Sequence, residues 1–538
     1  MFTWEQITAF FKGIFTGFVA LIVMAANQFG WTVDVGGVYS TRAEYAYTFA
    51  YSCEKIKPND ILGRRETIRV TMGKNEREGF QFILRPRYGD GMRLTVEVSD
   101  AAGADGASIP AAVYKESYIR AGAGKSEGLY PDALLPYRGG AETAERRTNQ
   151  GFYVEFRTDK ATAAGIYSGT VTVKDAESGE EKLQAPFSVE VIDVTFPHAA
   201  YSETSVGLCE LGYAAFEPFY TLNGVERGTP AGDAMYKQYY DCLLDHKLNA
   251  DLLPYHILDS RADAYMSDPR VTTFRIPYPD DDELLQAYYA KVQSDPRWAR
   301  KGYFYPIDEP SAAAHILRYT EITDRLARLC PGYHMITPFY LWKFSEDGME
   351  YDNPAIQDGR SDIICAVSDL YDRVGFPEAV QKRVGDNGDR AWWYVCCGPG
   401  GGYCNLFIQQ QGTRHRLLLW QQYQKNVTGF LYWSAACWND NPWENVGPWY
   451  GDEAFGDGYL FYPGFPIGLN GPIPTLRLKN LADGVEDYDL LCMAEAKFVR
   501  AYSLQKAAQL SAAMTSYTGD PARLESVRVS ILRDLAND

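Results

Sequence analysis

From about Tyr47 to Phe196 apolar and polar positions alternate: Ile68, Val70 and Met72 form one set, Phe80, Phe82 and Leu84 a second, and Leu94, Val96 and Val98 a third. A period of two sends every other side chain to the same face, so each set predicts a half-buried strand. Residues 167–173 and 187–191 flank a turn at Glu177, Ser178 and Gly179, which is hairpin spacing. The whole segment predicts a β-sandwich that Pro197 closes.

Beyond Pro197 the rhythm changes to short apolar runs separated by stretches of helical period. Eight runs stand out, at 205–210, 248–253, 272–276, 302–307, 334–339, 362–367, 391–396 and 428–433. Between the fourth and fifth, Ile316, Tyr319, Thr323, Leu326 and Leu329 recur at spacings of three and four, the apolar stripe of a helix. The third run is the least regular, being short and carrying Arg275. Eight strand-helix repeats predict an α/β fold with a TIM (β/α)8 barrel catalytic domain preceded by an all-β sandwich domain. The expected division is an apolar N-terminal segment at 1–40, the sandwich at 41–197, and the barrel with C-terminal helices at 198–538.

The apolar run from Ile14 to Val23, followed by Met24, Ala25 and Ala26, has the look of a signal peptide's hydrophobic region and small-residue cleavage site. Glu5 in the leading segment, and no positive charge before Lys12, leave a membrane anchor or an extension ahead of the first domain as alternatives. The pattern favours export, to the periplasm or outside the cell, over the cytoplasm.

With 538 residues, 46% hydrophobic and 23% charged, the chain is long enough for two domains and too apolar for extensive disorder. A net charge of -18 repels nucleic acid and anionic membrane surfaces, leaving the N-terminal segment as the one route to a membrane. The 39 Tyr and 11 Trp suit a neutral substrate, since amphipathic rings stack on the apolar face of a sugar. Of ten Cys only Cys396, Cys397 and Cys404 cluster, without paired CxxC units, and none of the six His forms an HExxH or HxH unit. Neither a metal nor a cofactor is expected.

The densest chemistry lies in Tyr305, Pro306, Ile307, Asp308, Glu309 and Pro310, where adjacent carboxylates follow the fourth run. Side chains of neighbouring strand residues face opposite ways, so the pair can share a pocket only where the pleat ends, and Pro310 helps to end it and suits the first turn of the next helix. Either carboxylate could instead cap that helix. Active sites of barrels lie at the C-terminal strand ends, which tips the reading toward catalysis. The loop after the seventh run, from Cys397 to Tyr403, contains no carboxylate, which disfavours a two-carboxylate retaining mechanism with its second group there. Its glycines, Gly400 to Gly402, lack the Lys-Ser or Lys-Thr of a phosphate loop and read as a flexible pocket wall. The Trp-, Asn-, Gly- and Pro-rich segment 435–475, with Trp438, Trp443 and Trp449, predicts a lid.

In YFYPIDEP around Asp308, WWYVCCGPGGGYCNLFI from Trp392, HRLLLWQQYQKNVTGFLYWSAACW from His415 and GPIPTLRLKNLADGVEDYDLL from Gly471, the chain resembles glycoside hydrolase family 123 and the wider uncharacterised set sharing its catalytic domain. The segment KNEREGFQF at Lys74 is similar to that family's N-terminal β-domain. The resemblance implies a β-N-acetylgalactosaminidase acting on an oligosaccharide or glycoconjugate by substrate assistance, with Asp308 and Glu309 as the catalytic pair. Asp308 would orient the acetamido group, and Glu309 would serve as acid and then base.

Strand-end positions supply the candidate substrate-binding residues: Tyr340, Asp369, Tyr394, Trp433 and Trp438. Tyr394 and Trp433 could equally be core, Asp369 could close a turn, and Trp438 is expected to face ligand. Two rival readings stand beside the first. One is a glycosidase for a sugar without the acetamido group, using Asp369, Asp440 or Glu444 as second carboxylate. The other is a non-catalytic carbohydrate-binding protein.

Overall fold

In the computed structural model, the described residues are 45–86, 92–208, 217–346, 348–357, 359–448 and 450–537, with short paired strands at 32–33 and 40–41. The apolar run at 14–23, the end of the first run at 209–210 and Trp449 lie outside them. No helix among the described residues is long and apolar enough to cross a membrane.

The alternating segment forms two facing sheets. One runs, in spatial order, Gly128–Pro136, Ala111–Ala121, Gln150–Arg157, Arg77–Pro86 and Tyr45–Tyr51, and all its neighbours are antiparallel. The other runs Glu142–Ala144, Met92–Val98, Gly165–Asp175, Glu181–Thr195 and Ile68–Lys74. Its last pair is parallel, with Phe187 opposite Ile68. Ile68, Val70, Met72, Phe80, Phe82, Leu84, Leu94 and Val96 meet in one buried core between the sheets. Phe80 and Phe187 pack there with ring centroids 5.2 Å apart, an aromatic contact across the two layers.

Beyond Pro197, Glu203–Val206, Gly429–Tyr432, Arg390–Val395, Ile363–Val367 and Ile336–Phe339 form a five-stranded parallel sheet in that order. Phe274–Ile276 and Gly302–Phe304 pair in parallel beside it. Helices Pro230–Asp245, Asp282–Gln293, Ala313–Leu329, Phe376–Asn387 and Gly412–Gln424 alternate with these strands. The architecture is thus mixed α/β with a sheet-rich N-terminal region. On Ala313–Leu329 the buried stripe is Tyr319, Ile322, Thr323 and Leu326, close to the face expected from spacing.

One run behaves differently from expectation. The run at 248–253 forms no ladder, only an isolated parallel bridge from Ala250 to Val206. Two of its polar side chains also bond to backbone N–H groups: Asn249 Oδ1 accepts from Thr272 N on the next run at 2.8 Å, and Asp251 Oδ1 accepts from Leu252 N at 2.8 Å. The irregular third run is a genuine strand. Its Arg275 is accommodated by an ion pair with buried Asp251 at 3.3 Å.

The helix Leu476–Lys497 is buried along most of its length although it carries many charges. Those charges are paired with both halves of the molecule. Arg477 meets Asp132 at 2.7 Å, Lys479 meets Glu155, and Asp487 meets Arg416, which also reaches Glu78 at 2.6 Å. Removing one partner of such a pair leaves an uncompensated interior charge, whose cost is about 3–5 kcal/mol. Arg477→Met is therefore expected to lower the urea midpoint markedly, and an unchanged midpoint would mean the Asp132 pair adds nothing to stability.

Candidate active site

The strand Gly302–Phe304 ends three residues earlier than its apolar run suggested, and the chain turns sharply at Glu309. Glu309 has φ 44°, left-handed backbone that is uncommon for a residue with a side chain. Its N–H donates to Pro338 O at 3.1 Å, and Pro310 O accepts from Asn353 Nδ2 at 2.8 Å, which fixes the turn from both sides. Strain of this kind persists only where the surroundings over-determine it.

Helix Ala313–Leu329 begins beyond Pro310, so the proline is not in its first turn. Its N-cap is Ala312, which has no capping side chain, and Glu346 Oε2 accepts from Ala313 N at 2.5 Å. The capping alternative for Asp308 and Glu309 is thereby removed. Each carboxylate is instead held by a tyrosine: Tyr305 Oη donates to Asp308 Oδ1 at 2.8 Å, and Tyr394 Oη donates to Glu309 Oε1.

Asp308 is exposed and Glu309 is half-buried. Desolvation raises the carboxyl of Asp308 above its ordinary range, and the Tyr305 hydrogen bond only partly offsets it. Burial likewise raises Glu309. There the Tyr394 bond acts downward and the charge of Asp308 upward. Two neighbouring carboxyls pushed toward their neutral forms, Glu309 further so by the charge of Asp308, allow one to be protonated while the other is ionised. That pairing suits a general acid beside an anionic hydrogen-bond acceptor.

The other sequence candidates fall in different surroundings. Tyr394 is buried and reaches the carboxylate pair through its hydroxyl. Tyr340 follows the strand Ile336–Phe339 and is 43% exposed, and no ring contact to it is seen among the described residues. Asp369 sits in the short turn Ser368–Asp372, 4.0 Å from Arg373, with its carboxyl raised first by burial. Trp433 is half-buried, its Nε1 donating to Asp457 Oδ1 at 2.8 Å.

Trp438 does not face a ligand opening. It is 3% exposed, stacks on Phe219 with centroids 5.8 Å apart, and donates from Nε1 to Phe461 O at 2.8 Å. A large ring whose one polar atom is satisfied by a carbonyl is at home in a core. The segment expected to be a lid is packed down in part: Val446, Tyr459, Leu460, Phe461 and Tyr462 are buried and Phe461–Pro463 pairs with Pro472–Pro474, while Tyr450 and Phe465 are exposed. The glycine run is pinned as well. Gly401 N donates to Glu453 Oε2 at 3.1 Å, and Gly402 O accepts from Tyr517 Oη at 2.5 Å.

Asp457 was missed from the sequence. Buried at 2% exposure, it accepts hydrogen bonds from Trp433 Nε1 and from Tyr432 Oη, the latter at 3.1 Å. Desolvation pushes its carboxyl up to about 6. A Cβ on the next residue, Gly458, would stand 2.7 Å from the Trp433 ring, so a glycine is needed to let that ring lie where it does. Its one outward sign is an Asp flanked by Gly456 and Gly458, both at positive φ. Among the described residues no group of three or more His, Cys, Asp and Glu could hold a metal ion.

Residues 290–494 match the model described as glycoside hydrolase 123, catalytic domain, and this match supports a glycoside hydrolase. Over that stretch the chain carries a family 123 catalytic domain, and Asp308 and Glu309 lie within it. A solved family 123 glycoside hydrolase from Clostridium perfringens, described for glycolipid glycan hydrolysis, is 14% identical, with 92% of this chain and 97% of that one covered at a TM-score of 0.67. At that identity the likeness is one of fold. A family 39 glycoside hydrolase from the gut symbiont Bacteroides cellulosilyticus WH2 is 12% identical over 78% of this chain and 81% of that one, but its TM-score of 0.30 is too loose to bear on the site. No curated protein is similar enough in sequence to count as a relative.

Proposed function

We propose that the protein cleaves terminal β-linked N-acetylhexosamine, N-acetylgalactosamine foremost, with retention and through an oxazolinium intermediate. One observation carries the reading: Asp308 and Glu309 are adjacent, raised by burial, and separately held by Tyr305 and Tyr394. The family 123 domain match supports the choice of an acetamido sugar. The same reading takes the parallel strands as a closed (β/α)8 barrel running from 198, behind a sandwich ending at 197. Its support is the continuity of links beyond the ladders: Val206 to Ala250, Arg275 N to Asp251 O at 2.6 Å, and Phe304 to Met335.

In the first step the acetamido oxygen of the substrate attacks its own anomeric carbon while the glycosidic C–O bond breaks. Glu309 gives its proton to the leaving oxygen. Asp308, ionised, accepts a hydrogen bond from the acetamido N–H, which gains positive charge as the ring closes. In the second step water attacks the anomeric carbon and Glu309 takes its proton, reopening the oxazolinium and restoring the acetamido group. Intramolecular attack benefits from effective molarities that reach roughly 10⁵–10⁸ M in well-oriented cases. Tyr340, Asp369 and Trp433 are the proposed substrate contacts, and Tyr394 acts through Glu309.

Glu309 must be protonated for the first step, so activity falls as pH rises through its pKa. The Tyr394 hydrogen bond favours the ionised carboxylate. Tyr394→Phe is accordingly expected to move the descending limb of the kcat/KM profile to higher pH, and a shift to lower pH would contradict the assignment. The mechanism itself is tested with a thiazoline analogue of the N-acetyl sugar, which mimics the oxazolinium. Competitive inhibition is expected, and indifference to the analogue would count against substrate assistance.

A further inference from the structure

The turn after the strand Arg390–Val395 carries two adjacent cysteines that the reaction above does not use. Cys396 Sγ and Cys397 Sγ lie 3.8 Å apart, with Cys396 half-buried and Cys397 exposed. The turn is built rather than loose: Cys396 N donates to Gly398 O at 2.8 Å, and buried Asn405 donates from Nδ2 to Cys396 O and Pro399 O, each at 3.0 Å. Tyr394, the partner of Glu309, stands two residues before the first of these thiols on the same strand end.

Buried Cys53, Cys330, Cys404 and Cys437 have thiols raised by desolvation, which makes them poor nucleophiles. Cys397 shifts the other way, lowered first by the hydrogen bond from the Cys396 thiol, while Cys396 is raised by that same bond. One sulfur is thus the readier attacker and its neighbour stands within reach to resolve.

We propose that Cys396 and Cys397 form a redox-active dithiol at the rim of the carboxylate site, which a small disulfide such as oxidised glutathione converts to a vicinal disulfide. The Cys397 thiolate attacks one sulfur of glutathione disulfide, forming a mixed disulfide and expelling one glutathione thiolate. Cys396 then loses its proton to solvent and attacks Cys397 Sγ, expelling the second glutathione. The protein loses two protons and two electrons, and one glutathione disulfide becomes two glutathione thiols. Consecutive Cα atoms are about 3.8 Å apart, below the roughly 4.4–6.8 Å usual for a disulfide, so the closed ring is strained and readily reopened by thiols. Such a bond acts as a reversible modification and not as a structural staple.

The test uses the full chain and is independent of whether any glycoside is cleaved. After incubation with glutathione disulfide, intact mass is expected to fall by two hydrogens, peptide mapping to assign the bond to Cys396 and Cys397, and dithiothreitol to reverse it. Phenylarsine oxide, which bridges close dithiols, is expected to bind the reduced protein and not the oxidised one. Cys396→Ser is expected to stop at a glutathione adduct on Cys397. An unchanged mass, a stable glutathione adduct on the unsubstituted protein, or a bond mapped to any other cysteine pair would overturn the proposal.

Discussion

Glu309→Gln is expected to reduce hydrolysis of a glycan with a poor leaving group by roughly 10² to 10⁴, the usual contribution of a positioned general acid. The amide keeps the shape and can still meet Tyr394, but it has no proton to give the leaving oxygen. An activated aryl glycoside needs little protonation in the first step, so the loss on such a substrate is expected to be smaller. The diagnostic quantity is the ratio between the two substrates. An undiminished rate on the natural type of substrate would remove Glu309 from the acid role.

Asp308→Asn is expected to lose roughly 10² to 10³, comparable to removing one preorganised group that stabilises developing charge. Here the deficit concerns the nucleophile: without the carboxylate, the acetamido N–H finds no anion to offset its growing positive charge. The loss is therefore expected to persist with activated leaving groups, unlike that of Glu309→Gln. Equal dependence on leaving group in both variants would contradict the division of labour. Loss of KM alone, with kcat intact, would reduce Asp308 to a binding contact.

Strand positions were readable because buried strands leave a plain trace, a short apolar run or a strict alternation. Phe80, Phe82 and Leu84 point into one core, as their spacing requires. The run at 248–253 pairs only through the bridge from Ala250 to Val206, and apolarity says nothing of Asn249 and Asp251, whose side chains bond Thr272 and Leu252. Trp438 misled. A tryptophan in a loop reads the same whether its ring meets ligand or, as here, Phe219. The carboxylate pair was visible as two adjacent acids after a strand. Its tuning was not, since Tyr394 lies 85 residues further along and meets Glu309 only through the fold. Asp457 was hidden in the same way: between two glycines it reads as a turn, and only the folded chain brings it under Trp433.

The account turns on the acetamido group acting as nucleophile. Its most direct test is hydrolysis of an aryl β-N-acetylgalactosaminide beside the aryl β-galactoside with the same leaving group, under identical conditions. Cleavage of the acetamido sugar alone is the predicted result. Comparable cleavage of the plain galactoside would show that a protein carboxylate, and not the substrate, attacks the anomeric carbon.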